Sequence, residues 1–284
     1  MDVQRVGIVG SGQMGGGIAE VAARSGYEVV LRSRTIEAAT ATLAGIEKSL
    51  AKQVAKGKLD EADQAAIVAR ITPTAEIDDL FDCDLVIESV VEDITVKKVL
   101  FAELDAVCKP SAILATNTST LSVIELAMQA KRPERVCGIH FFNPATLMSL
   151  VEVVRPLTAA DETINAAKTF AQRCGKDAVD VKDRAGFIVN ALLFPYLNNA
   201  ARMLDHGTAS MEDIDVAMKG GCNFPLGPFQ LLDLVGLDTS VAILDALYLE
   251  FKDPNFTPVP SLRRMVEAGL LGRKSGRGFY DYRG

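Results

Sequence analysis

The chain of 284 residues contains only two histidines, so the search for a side chain that can carry a proton near neutral pH is short. His140 lies in Gly138-Ile139-His140-Phe141-Phe142-Asn143-Pro144, at the end of an apolar run where a strand would deliver it to the carboxyl edge of a sheet. His206, beside Gly207, reads as a helix C-terminal cap. Twelve residues after His140, Glu152 interrupts the apolar strand Leu150-Val151-Glu152-Val153-Val154. A carboxylate there demands a partner, and His140 is the natural one: Glu152 would orient the ring and stabilise its charged form. Equally compatible with the residue types is a buried histidine satisfied by backbone, with Glu152 on a solvent face. Ser119, in Asn117-Thr118-Ser119-Thr120, follows another strand and is a candidate to hold a reacting oxygen, although Ser and Thr after a strand often only cap helices. Asn190, on a later helix, could reach the same oxygen, although a lone helix Asn is usually structural.

Gly10-Ser11-Gly12-Gln13-Met14-Gly15 fits GxGxxG, follows an apolar strand and opens a helix. In that context Gly10 permits the tight turn, Gly12 lets the backbone approach a pyrophosphate, and Gly15 lets helix and strand pack closely, with Gln13 and Met14 at the helix N-terminus facing the anion. A dinucleotide beside an imidazole implies hydride transfer from a secondary alcohol, in which the base takes the hydroxyl proton and contributes ~100- to 10,000-fold. The second strand ends in Leu31-Arg32-Ser33-Arg34-Thr35, without the acid that would bind a ribose 2'-hydroxyl. Ser33 can donate to a 2'-phosphate and Arg34 offers a planar fork for it, so NADP(H) is expected over NAD(H), with NAD possible.

These residues need a parallel sheet to bring them to one edge. Apolar runs alternating with helical spacing predict strands at Val6 to Gly10, Tyr27 to Arg32, Leu85 to Glu88, Ala112 to Thr116, Val136 to Phe141, Leu150 to Val154 and Ala178 to Val181, with a helix from Met14 to Arg24. Residues 36–70 read as two helices joined around Gly57. After about Arg184 strand signals vanish, and Phe187 to Leu204 and Val235 to Phe251 show helical spacing, with Pro195 expected to kink the first. The expected fold is α/β: a Rossmann-type, doubly wound, mostly parallel sheet over residues 1–184 with a helical-pair insertion, and a smaller all-α domain over residues 185–284.

A net charge of -7 argues against nucleic acid as a partner, and no apolar stretch reaches the roughly 18 residues of a membrane span. Five scattered cysteines, without CxxC or a histidine cluster, predict reduced thiols, no metal site and a cytoplasmic protein.

Taken together, the sequence resembles the 3-hydroxyacyl-CoA dehydrogenase family, in particular its single-function short-chain members, along essentially its whole length. The resemblance is carried by Gly10 to Gly15, Val86-Ile87-Glu88-Ser89-Val90-Val91-Glu92, Asn117-Thr118-Ser119, His140 to Pro144, Asp183-Arg184-Ala185-Gly186-Phe187-Ile188-Val189-Asn190 and Gly276-Arg277-Gly278-Phe279-Tyr280. It implies interconversion of (S)-3-hydroxybutyryl-CoA and acetoacetyl-CoA, with His140 as acid/base, Glu152 as its partner, and Ser119 and Asn190 on the C3 oxygen. It further implies that Glu92, Lys97, Asn117, Asn143 and Lys274 belong to the cofactor site and that Lys52 and Lys56, one helical turn apart, meet the CoA phosphates; the alternative for that pair is a solvated lysine face. A homodimer through the helical domain is expected, with Ala191-Leu192-Leu193-Phe194 and Leu231-Leu232-Asp233-Leu234-Val235 as candidate interface segments. Ser33 departs from the family, whose members usually carry an acid there. Two rival readings remain: a dehydrogenase of carrier-protein thioesters or free hydroxy acids, and a noncatalytic NADP(H)-binding protein.

Overall fold

In a computed structural model, which describes residues 2–283, the chain divides into two compact units, one ending at Asp183 and the next starting at Arg184. The first is built on the apolar runs. They become β1 (Arg5–Val9), β2 (Glu28–Arg32), β3 (Ile71–Thr74), β4 (Leu85–Glu88), β5 (Ile113–Thr116), β6 (Val136–Phe141), β7 (Leu150–Arg155) and β8 (Asp177–Lys182). Every residue of β4, β5 and β6 is buried, as expected for strands covered on both faces. The order is β3-β2-β1-β4-β5-β6-β7-β8, with β6 and β7 antiparallel and the other pairs parallel. The winding reverses between β1 and β4, and a ligand crevice opens at the carboxyl ends of the strands beside such a switch point.

Helices α1 (Gln13–Arg24), α2 (Ile36–Ala55), α3 (Glu61–Ala69), α4 (Ile94–Val107), α5 (Val123–Ala127) and α6 (Asp161–Arg173) complete this unit. Thr35, Asp60 and Asp93 cap α2, α3 and α4 by accepting first-turn amides. The pair α2 and α3 is the insertion expected at residues 36–70, turning at Gly57. Strand β3 was not among the expected strands: Ile71-Thr72-Pro73-Thr74 lacks an apolar run, and its proline is tolerated because β3 is an edge strand.

The second unit, among its described residues, is helical: α7 (Val189–Asp205), α8 (Met211–Cys222), α9 (Pro228–Val235), α10 (Leu237–Phe251) and α11 (Pro260–Glu267). Phe194, Leu197, Phe229, Leu232, Leu244 and Leu247 form its core. Pro195 lies inside α7. The helix expected from Val235 to Phe251 instead begins at Leu237, because Gly236, at φ 102°, separates it from α9. Two buried carboxylates pin the C-terminal segment: Asp215 accepts from the Phe229 amide and the Tyr280 hydroxyl, and Asp233 from the amides of Phe279 and Tyr280 and the Tyr282 hydroxyl. Asp233 is therefore an internal anchor in the segment from Leu231 to Val235.

Cys83, Cys108, Cys137 and Cys174 are buried free thiols, whereas Cys222 is exposed. Burial pushes the thiols of Cys83 and Cys137 up to about 12 and those of Cys108 and Cys174 up to about 11. A raised thiol pKa leaves little thiolate at neutral pH, and burial blocks access. At about pH 8 a thiol reagent should label Cys222 alone in the folded protein and all five cysteines after unfolding. Mass spectrometry showing a second labelled thiol in the native chain would contradict this. Among the described residues no helix is long and apolar enough to cross a membrane.

Candidate active site

The antiparallel register of β6 and β7 sets His140 directly opposite Glu152, so the two side chains emerge from one face. Nδ1 of His140 lies 2.8 Å from Oε2 of Glu152; the histidine is 4% exposed and the glutamate 0%. With Glu152 a carboxylate, which only accepts, Nδ1 carries the proton and the neutral ring keeps its Nε2 lone pair. Nε2 is 3.1 Å from Oγ of Ser119, so in that tautomer the serine hydroxyl donates to it. The Phe142 ring packs against the imidazole at 4.5 Å between centroids. In the line Ser119–His140–Glu152 the imidazole thus turns a proton acceptor, Nε2, toward the serine and its Nδ1 toward a buried counter-charge.

Ser119 is itself held. Its amide donates to Oε1 of Glu92 at 3.0 Å, and the Thr118 hydroxyl donates to the same oxygen. Lys97, 1% exposed on α4, bridges Oε2 of Glu92 at 3.0 Å and both oxygens of Glu88 at 2.8 and 3.0 Å. Lys97 is thus a buried bridge between two carboxylates. Asn117 spends its side-chain oxygen on the Phe141 amide at 2.8 Å, which ties the end of β5 to the strand bearing His140.

At the end of β1, Gly10 sits at φ 119° and donates its amide to the Arg32 carbonyl at 2.9 Å. A Cβ on Gly15 would lie 1.9 Å from the Gly10 carbonyl oxygen, so only glycine allows this approach. Around Gly12 a Cβ would meet nothing within 4 Å. Gly12 caps α1 with no side-chain bond, and the first turn, with Gln13 and Met14, carries no acid. Open space at the positive end of a helix with unclaimed amides fits the pyrophosphate of a dinucleotide. A cavity of about 340 Å³ borders this turn and brings Asn143 and Thr146 beside Gly12 and Gln13.

The Ser33 hydroxyl pairs with that of Ser11 at 2.7 Å, and Ser33 is buried while Arg34 is exposed. Lys52 and Lys56 are both exposed, one in the last turn of α2 and the other at its C-cap. Asn190 and Lys274 belong to the helical unit: Asn190 is buried at the second position of α7, and Lys274 forms an ion pair with Asp238 at 2.5 Å. The first unit therefore gathers Ser119, His140, Glu152, Glu92, Lys97 and Asn117 into one network. Glu88, Thr116 and Thr118 join it, and Ser11 pairs with Ser33 beside the glycine turn, without having been assigned roles from sequence. For Glu88 the signal was present, a carboxylate closing the apolar run Leu85-Val86-Ile87, the same signal that marked Glu152.

Comparison with known proteins gives a consistent picture. Residues 5–184 match the family profile "3-hydroxyacyl-CoA dehydrogenase, NAD binding domain" and residues 186–282 match "3-hydroxyacyl-CoA dehydrogenase, C-terminal domain". The chain is 49% identical over 282 residues to a 3-hydroxybutyryl-CoA dehydrogenase of Mycobacterium tuberculosis, covering 99% of each. It is 42% identical to the mitochondrial hydroxyacyl-coenzyme A dehydrogenase of Sus scrofa, covering 99% of this chain and 92% of the relative. The crystal structure of (S)-3-hydroxybutyryl-CoA dehydrogenase from Ralstonia eutropha superposes with a TM-score of 0.97 at 42% identity, covering 100% of each chain. With two profiles spanning both units and full-length relatives at this identity, the chain belongs to the 3-hydroxyacyl-CoA dehydrogenase family.

Proposed function

We propose that the chain interconverts (S)-3-hydroxybutyryl-CoA and acetoacetyl-CoA, using NADP(H) in preference to NAD(H). The observation that carries this reading is the Ser119–His140–Glu152 line, with Nε2 facing a hydroxyl and Nδ1 a buried carboxylate. The nicotinamide cofactor, when bound, takes up or gives the hydride at C3 of the substrate. In the oxidative direction Nε2 of His140 accepts the C3 hydroxyl proton, and Glu152 stabilises the resulting imidazolium. In the reductive direction the same nitrogen returns the proton to the C3 oxygen. The Ser119 hydroxyl orients that oxygen, and Asn190 is assigned to it from the helical unit. Glu92 and Lys97 hold Ser119, Asn143 and Lys274 belong to the cofactor site, and the exposed ammonium groups of Lys52 and Lys56 take the CoA phosphates. A homodimer is part of this reading, supported by the exposure of Leu192 (72%) and Leu234 (50%) in the helical unit, and a cytoplasmic location is proposed with it.

The cofactor preference rests on β2, which ends without an acid and is followed by a buried Ser33 and an exposed Arg34. A 2'-phosphate would accept from the Ser33 hydroxyl and from the Arg34 guanidinium. The expected kcat/KM with NADPH exceeds that with NADH by about tenfold or more, and Arg34→Ala lowers the NADPH value by ~10-fold while leaving NADH within about twofold. Steady-state assays with acetoacetyl-CoA and each cofactor check this; a higher efficiency with NADH would refute the preference.

A further inference from the structure

We propose that Glu88 is a positioning residue for the reaction, setting Ser119 against His140 through Lys97 and Glu92. The inference rests on the catalytic reading of Ser119 and His140 given above. Glu88 closes β4 at the switch point of the sheet and is 0% exposed. Neither of its oxygens is left open: Oε1 accepts from the Val90 amide at 2.6 Å and from Lys97, and Oε2 accepts from the Thr116 hydroxyl at 2.8 Å and from Lys97. A carboxylate held by backbone, hydroxyl and ammonium together cannot swing, so it fixes where the Lys97 ammonium sits.

That fixed ammonium in turn restrains Glu92. The Glu92 side chain is 41% exposed; the Thr118 hydroxyl and the Ser119 amide hold its Oε1, and Lys97 adds the only charged partner, at 3.0 Å from Oε2, among the described residues. Glu92 then accepts the Ser119 amide at 3.0 Å, and the Ser119 hydroxyl lies 3.1 Å from Nε2 of His140. Thr116 adds a second strut, since its hydroxyl oxygen also accepts the Thr118 amide at 3.2 Å. The path runs from the end of β4 across the end of β5 to the imidazole without a gap.

Glu88→Gln keeps the shape but removes the charge that anchors Lys97. The ammonium then follows Glu92 toward solvent, and Ser119 loses its fixed place. Small misplacements of this kind cost up to ~100-fold in rate. The expected result is a ~10- to 30-fold fall in kcat with KM for acetoacetyl-CoA within about twofold. Two readouts separate positioning from general damage. In a cycle with Ser119→Ala, Glu88→Gln slows the wild-type chain but changes the Ser119→Ala background by less than about twofold, because its effect passes through the side chain already removed. In protein labelled at its two histidines, the ring nitrogen signals of His140 shift on Glu88→Gln in the direction seen with Ser119→Ala, and those of His206 stay. The milder Thr116→Val, expected to lower kcat ~3- to 5-fold, runs the same cycle if Glu88→Gln does not fold.

A full-sized effect of Glu88→Gln on top of Ser119→Ala, or an unchanged His140 spectrum, overturns the role of Glu88 and leaves the catalytic reading standing. A Ser119→Ala chain with wild-type kcat overturns both.

Discussion

His140→Ala is expected to lower kcat for acetoacetyl-CoA reduction by about 100- to 10,000-fold while the affinity for reduced cofactor stays within about threefold. Substitution by alanine removes the group that must hold and release the proton, and the dinucleotide turn at the end of β1 does not touch it. No other described imidazole of the first unit can take over, since His206 stands at the C-cap of α7 in the helical unit. The loss falls on kcat because the proton moves in the transition state and not on binding. Glu152 is 0% exposed and bonded to Nδ1, so the ring has one orientation available, with Nε2 turned toward Ser119. Cofactor titration by fluorescence together with steady-state kinetics checks both halves. A variant that keeps more than about a tenth of the wild-type kcat would remove His140 from the chemistry.

The second large effect concerns Gly15, where structure and binding should fail together. A methyl at this position would sit 1.9 Å from the Gly10 carbonyl oxygen and 2.8 Å from its carbon, and both are backbone atoms that cannot rotate away. Gly15→Ala therefore forces α1 off β1, with an expected loss of about 2–4 kcal/mol of stability and a rise in cofactor Kd of ~100-fold or more. Gly12→Ala is the control. Its methyl enters open space, so unfolding should match the wild type while the cofactor, obstructed at the helix N-terminus, binds ~10-fold more weakly. Urea unfolding and cofactor titration of the two variants test the contrast; wild-type values for both in Gly15→Ala would contradict this geometry.

The central strands were legible because burial on both faces writes itself as an unbroken apolar run, as in Val136-Cys137-Gly138-Ile139. Strand β3 was not, since an edge strand can hold Thr72-Pro73-Thr74 with one side open. The break at Gly236 also escaped, because helical spacing continues across it and only the backbone angle of 102° reveals the turn. Within the site, the pairing of His140 with Glu152 could be argued from a carboxylate inside an apolar strand, which needs a partner wherever it folds. Glu88 carries the same mark in β4, but its partner Lys97 lies on α4, whose packing no local pattern reports. The Ser11 and Ser33 hydroxyls come from the ends of adjacent strands, so their 2.7 Å approach is a product of the β1 and β2 register. Residue type nominates Asn190, but only its place in α7 shows that it is buried.

Hydride transfer to acetoacetyl-CoA is tested most directly by mixing the purified chain with acetoacetyl-CoA and reduced nicotinamide cofactor while cofactor oxidation and thioester product are followed together. Equal amounts of oxidised cofactor and (S)-3-hydroxybutyryl-CoA, formed with multiple turnovers, are expected. A folded chain that binds both compounds yet transfers no hydride would contradict the proposed reaction.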